Sequence, residues 1–167
     1  MGLIIKDKIN QLMRGYPTVS DKYNVEGGIL EGNAAVNFGD MVKYGSTTGY
    51  YEKATALTAI TDFAGFVLAT NVKLEDTWVK NPTGPVTLPG EAFNRFMSGF
   101  IAVELKSDAT VAQIKNGAQV AVVLASAELT TQDKIADSTV VALPGYEFTG
   151  VYEMQGTKLL AEVRKTC

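Results

Sequence analysis

The chain has 167 residues, a formal charge of −3 and a pI near 5.0, which fits a single domain able to bury a sizeable core. It contains no histidine, and its single cysteine is the last residue, Cys167. Hydrolysis by a histidine-activated serine or cysteine is thereby excluded, as are an intrachain disulfide and a cysteine-based metal site within one chain. The lysines are scattered, so no basic patch for a phosphate backbone is expected, and the longest apolar stretch, Val120 to Ala127, is too short to cross a bilayer.

In chain order, Met1 to Met13 places Ile5, Ile9, Leu12 and Met13 on one helical face, with Lys6, Asp7, Lys8 and Asn10 opposite. The pattern predicts a short amphipathic helix that either packs on its own domain or docks as an arm on a neighbouring subunit. Arg14-Gly15-Tyr16-Pro17 ends it, because glycine permits a left-handed cap and proline disfavours αR in the residue before it. A polar, irregular segment is expected from there to Asn33. Ala35 to Tyr44 reads as a strand interrupted at Gly39-Asp40, Gly45 to Gly49 as a turn, and Phe63 to Thr70 as a short strand with either a bulge or a close backbone approach at Gly65.

The stretch Leu88 to Leu124 reads as the organising centre. Ala92 to Met97 and Ile101 to Lys106 flank Ser98-Gly99, which predicts a hairpin with Phe96 facing Ile101 and Asn94 facing Val103. Asn116-Gly117 then launches Ala118 to Leu124. Near the C-terminus, Phe148 to Met154 and Thr157 to Arg164 flank Gln155-Gly156; a turn there sets Glu153 opposite Lys158 and Tyr152 opposite Leu159. Long polar excursions are expected at Ala54 to Asp62, Asn71 to Thr87 and Glu128 to Ser138, each a functional loop or a small helix. Trp78, the only tryptophan, is read either as a core or edge residue or as an interface anchor.

Gly39-x-x-Val42 followed by Phe63-Ala64-Gly65-Phe66 is echoed by Gly117-x-x-Val120 followed by Phe148-Thr149-Gly150-Val151. The echo is either the common grammar of β-proteins or two similar units sharing one core. Candidate carboxylate pairs, Glu26 with Glu31 and Glu75 with Asp76, sit in polar stretches and read as solvated charge. No calcium-loop or phosphate-loop spacing is present, so the expectation is a non-enzyme with no cofactor and no metal.

The expected fold is mainly β: a small antiparallel β-barrel or β-sandwich with long loops and a short N-terminal helix or arm. Residues 1–32 form the arm and irregular segment, and residues 33–167 the β domain. Pro89-Gly90-Glu91, Gly99-x-Ile101-x-Val103, Ile114-x-x-Gly117-x-x-Val120 and Gly150 before a closing hairpin together resemble the capsid cement, or decoration, proteins of tailed double-stranded-DNA bacteriophages. Val36 to Val42 and Phe63 to Phe66 resemble that family's first two strands.

The resemblance implies a virion protein on the outer surface of the capsid that bridges major capsid protein subunits and stabilises the shell. It further implies self-association as a dimer or trimer, with no direct nucleic acid and no membrane partner. Leu3, Ile5, Ile9, Leu12, Met13 and Tyr16 of the N-terminal segment, and Trp78, Pro82 and Pro85 of the long loop, are the expected contact residues. The alternative is a β-sandwich module that binds carbohydrate or a receptor, with Tyr44, Tyr50 and Tyr51 as its aromatic cluster.

Overall fold

The computed structural model describes residues 12–18, 23–69 and 87–165. Among these residues the fold is mainly β, with nine strands in one sheet: β1 (Tyr23–Glu31), β2 (Met41–Tyr44), β3 (Tyr50–Lys53), β4 (Phe63–Leu68), β5 (Ala92–Leu105), β6 (Gln119–Val123), β7 (Glu128–Thr131), β8 (Val140–Gln155) and β9 (Lys158–Lys165). Of the expected N-terminal helix only Leu12 and Met13 are described, and they are not helical.

β5 is the axis of the fold. The expected turn at Ser98-Gly99 is not made; the chain runs straight through it as one 14-residue strand. Tyr23 of β1 and Lys165 of β9 both register with Gly99, so one ladder hands over to the other at this residue. Two long partners provide more backbone bonds than a two-residue hairpin could, and they hold the strand extended. Gly99 has φ 111, a value that suits glycine, and the register with β1 slips beside it at Asn24/Val25. Phe96 consequently faces Val25 and Phe66, while Ile101 faces Val163.

The pairings form two circuits that share β5. The first runs β1-β3-β2-β4-β5 and returns to β1; the second runs β5-β7-β6-β8-β9 and returns to β5. Each strand-to-strand pairing in one has its counterpart in the other. Parallel Leu30↔Tyr51 matches parallel Leu105↔Leu129, and antiparallel Val42↔Lys53 matches Val120↔Thr131. Met41↔Phe66 matches Gln119↔Glu147, and Glu26↔Arg95 matches Ile101↔Val163.

Even the launching glycines agree. Gly39 N–H donates to Val67 C=O at 2.8 Å, and Gly117 N–H to Phe148 C=O at 2.9 Å. The echo in the sequence is therefore a repeated unit, with one correction. Val67, not Phe63, occupies the place of Phe148, so the two phenylalanine-led glycine motifs do not superpose.

Pairing also adds strands that local pattern did not mark. The segment expected to be irregular up to Asn33 contains β1, laid antiparallel on β5. Glycine makes this strand fit: a Cβ on Gly28 would lie 2.4 Å from the Tyr51 ring. The excursion from Glu128 holds β7 and a 3-10 turn at Gln132–Ala136, and that from Ala54 ends in another at Ile60–Asp62. Tyr50 and Tyr51 begin β3.

The C-terminal hairpin exists, but Gly156, with φ 63, takes the first loop position; Gln155 therefore pairs with Lys158 and Glu153 with Leu160. The bulge at Gly65 is present, since Val42 registers with Gly65 and Lys43 with Phe63. Asn71 to Val86 lie outside the described residues; Thr87 bridges to Val36.

The larger core fills the second circuit and its junction with β4: Phe66, Phe96, Ile101, Val103, Val120, Val122, Leu129, Leu143, Tyr146, Phe148 and Val163. Phe63, Phe66 and Tyr146 meet edge to face with centroids 5.2–5.8 Å apart. A smaller core, with Leu30, Val36, Val42, Tyr51, Val67 and Phe93, fills the first circuit.

Burial pushes the Tyr146 phenol well above its ordinary value, and its hydroxyl has no hydrogen-bond partner among the described residues. A raised tyrosine value means the folded state holds the proton more tightly. This contribution is complete below about pH 10 and is lost as pH rises beyond it, where the unfolded phenol ionises.

Two expected outcomes follow from this packing. Tyr146→Phe should change stability at pH 7 by less than about 1 kcal/mol and should reduce the loss of stability between pH 9 and about 11, read by urea titration at each pH. Gly28→Ala should cost about 1–3 kcal/mol in the same assay, because the added methyl meets the Tyr51 ring; an unchanged midpoint would show that the ring can move aside.

Candidate functional site

Ahead of β1, residues Leu12–Thr18 form a strap along the edge of β5. Gly15 N–H donates to Ala102 C=O at 2.8 Å, Ala102 N–H to Tyr16 C=O at 3.1 Å and Thr18 N–H to Phe100 C=O at 3.3 Å, with Pro17 bridging antiparallel to Ile101. Leu12 is buried against Ala102 and Leu160. Its N–H donates to Glu153 Oε2 at 2.8 Å, and its C=O accepts from Gln155 Nε2 at 2.5 Å. Glu153 is thus engaged by the strap, and Lys158 instead pairs with Glu104 at 3.3 Å. This replaces the expected Glu153–Lys158 pair.

The strap bears on three of the expected contact residues. Leu12 is buried, Tyr16 packs edge-on against Phe38 at 5.9 Å, and Met13 is exposed. Leu3, Ile5, Ile9, Trp78, Pro82 and Pro85 lie outside the described residues. What the strap does chemically is close the seam between the circuits. Arg14 reaches Asp40 at 2.6 Å and Glu104 at 3.4 Å, and Lys53 also reaches Asp40, at 3.1 Å. These residues line a cleft of about 400 Å³ together with Lys106, Glu128 and Lys158. Arg14, Asp40, Lys53, Glu104 and Lys158 are paired across it, which suits a cross-brace between units.

A second polar feature interrupts the first circuit. Arg95 is buried; its guanidinium bonds Ala64 C=O and Glu26 Oε2 and lies 4.7 Å from the Tyr51 ring and 5.9 Å from that of Tyr44. Burial by itself would lower the Arg95 value, but the Glu26 carboxylate and the two tyrosines hold it above the ordinary one. The repeat shows what is unusual here. The second circuit has Ile101 where the first has Glu26, Val163 where it has Arg95, and Val122 where it has Tyr44.

Sequence reasoning missed this cluster because an arginine in a strand reads as surface. The available signal was period-two spacing, which puts Arg95 on the face of buried Phe93.

Tyr44 is 56% exposed but Tyr51 only 3%, and Tyr51 packs edge-on against Phe93, so Tyr44, Tyr50 and Tyr51 do not form one open aromatic platform. Among the described residues no group of three or more histidine, cysteine, aspartate or glutamate side chains is placed to hold a metal.

The described residues form a doubled β-unit braced across its seam by paired charges. A family model for phage structural cement proteins, described by E217 gp24 and Pam3 gp6, matches residues 6–165. The chain belongs to this family of capsid cement proteins, and it is a structural, capsid-stabilising component of the virion. A chain from the solved capsid of Myoviridae phage XM1 has the same fold, with a TM-score of 0.65 and 15% identity over 98% of this chain and 96% of that one. No curated protein matches. The family role is non-enzymatic and implies association with the capsid.

Leu12→Ala should lower stability by about 2–5 kcal/mol, since it empties a buried site between Ala102 and Leu160. Thermal unfolding checks this; a loss under about 0.5 kcal/mol would show that the strap is not part of the folding unit.

Proposed function

We propose that the protein sits on the outer surface of the capsid and bridges neighbouring major capsid protein subunits, holding them against separation. The observation that carries this reading is the cement-family match across residues 6–165. The doubled sheet supports it: two units locked through one strand and a charged seam make a stiff spacer, and stiffness is what a bridge between subunits requires. A formal charge of −3 suits the outer face better than the DNA-facing one, and no contact with nucleic acid or membrane is part of the proposal.

Each circuit of pairings is read as a small five-stranded barrel, and the whole chain as one domain. Cross-strand amide contacts between β1 and β5, and between β5 and β9, detected by nuclear magnetic resonance, test both closures. The N-terminal segment with Leu3, Ile5 and Ile9, and the loop with Trp78, Pro82 and Pro85, are proposed as contact regions flanking this scaffold. The strap anchors the first of these, so residues 1–11 are proposed as an arm. Self-association as a dimer or trimer would let many weak contacts act together on a closed shell.

Purified protein mixed with phage heads stripped of accessory proteins should co-sediment at a fixed, saturable ratio to the major capsid protein. Removing residues 1–11 should weaken that binding about tenfold or more while the unfolding midpoint stays put. Absence of saturable binding by the full chain would overturn the proposal; full occupancy by the truncated chain would remove the arm from it.

A further inference from the structure

The two circuits correspond strand for strand, so any feature found in one and missing from the other stands out. The strap is such a feature. It pairs with Phe100 and Ala102 on the edge of β5, just before the point where β7 joins at Leu105. In the first circuit the strand equivalent to this part of β5 is β1. Register equates Phe100 with Val25, Ala102 with Gly27 and Leu105 with Leu30. β3 joins β1 from Ile29 onward, as β7 joins β5. Among the described residues, no strand or strap occupies the equivalent place along Val25–Gly27.

The edge is usable. Ile29 N–H donates to Gly49 C=O on that side, and alternation along the strand turns the N–H and C=O of Gly27 and of Val25 the same way. Among the described residues nothing pairs with them there. Val25 is 44% exposed, Tyr23 is exposed beside it, and no atom lies within 4 Å of where a Cβ on Gly27 would be. The seat for an apolar side chain is repeated too. Leu12 of the strap rests on Ala102 and Leu160, whose equivalents are Gly27 and Ala92, both small and exposed.

We propose that the open β1 edge at Val25–Gly27 takes an extended segment of a major capsid subunit as an added antiparallel strand, as β5 takes Leu12–Thr18. This rests on the bridging role proposed above and names the surface that performs it. The strap defines the occupant's chemistry: an extended backbone with an apolar residue over Gly27 and Ala92, and no carboxylate opposite Glu26. That last requirement disfavours a second copy of this chain, because two β1 edges paired in the register centred on the slot would set Glu26 against Glu26. Main-chain bonding along such an edge supplies affinity, and the apolar seat supplies choice of sequence.

Gly27→Pro tests the idea, because the missing N–H and the ring fall on the open side and leave the β1–β5 ladder intact. Gly27→Ala serves as the control that keeps the donor. With stripped shells, Gly27→Pro should bind at least about tenfold more weakly than the unaltered chain, with an unchanged unfolding midpoint. Should that variant fold poorly, hydrogen exchange on the unaltered protein decides. The Gly27 amide should exchange at least about tenfold more slowly on shells than free.

Equal binding by Gly27→Pro, or equal exchange in both states, overturns this proposal while leaving the bridging role standing. Failure of the unaltered chain to bind shells strikes the bridging role itself. A free dimer that Gly27→Pro converts to monomer, seen by sedimentation, assigns the edge to a second copy and overturns the proposal as well.

Discussion

The structure depends on one strand serving two ladders. β5 is 14 residues long because it closes the first circuit with its N-terminal half and opens the second with its C-terminal half. β1 and β4 pair with the first half, β9 and β7 with the second. A strand used this way cannot be withdrawn from one unit without opening the other. The two units therefore behave as one body, and the larger apolar core, which fills the second circuit, continues across the junction: Phe66 and Phe96 come from the first circuit, Tyr146 and Phe148 from the second.

Around that strand the duplicated units have diverged in a directed way. Residues equivalent to the aliphatic Ile101, Val163 and Val122 of the second unit are Glu26, Arg95 and Tyr44 in the first. An aliphatic interior is stabilised by burial alone, whereas a buried guanidinium must be matched by acceptors, here Ala64 C=O and Glu26. One unit is thus a well-filled core, and the other carries a polar, aromatic end. For a capsid-stabilising protein, this separates the half that supplies rigidity from a half with surface to spare.

The seam is held by charge as well as by the shared strand. Asp40 is buried, accepts from Arg14 and the Asn37 N–H and forms an ion pair with Lys53, while Glu104 accepts from Lys158 and forms an ion pair with Arg14. Arg14 belongs to the strap, Asp40 to the first unit, and Glu104 and Lys158 to the second. Such a network resists shear between the units, and the partly exposed partners make it less sensitive to the penalty of full burial.

Alternating apolar residues and glycine punctuation determined the class of this protein and several strands outright. β2, β4, β6 and the C-terminal hairpin follow from local pattern, because alternation and turn chemistry are written within a few residues; the equivalence of Gly39 with Gly117 rests instead on bonds to Val67 and Phe148, far along the chain. The absence of histidine and the lone Cys167 narrowed the chemistry on composition alone.

Only the tertiary structure decided whether Ser98-Gly99 would turn. A two-residue turn and a continuous strand are both allowed to that dipeptide, and β1 and β9, distant in the chain, tip the choice by pairing on either side of it. β1 itself was illegible for the same reason. Tyr23 to Glu31 has glycines and carboxylates where a strand pattern wants apolar residues, and its meaning comes from the Tyr51 ring over Gly28 and the Arg95 guanidinium beside Glu26. Local rules fix elements whose partners are close in sequence; partners brought together by folding fix the rest.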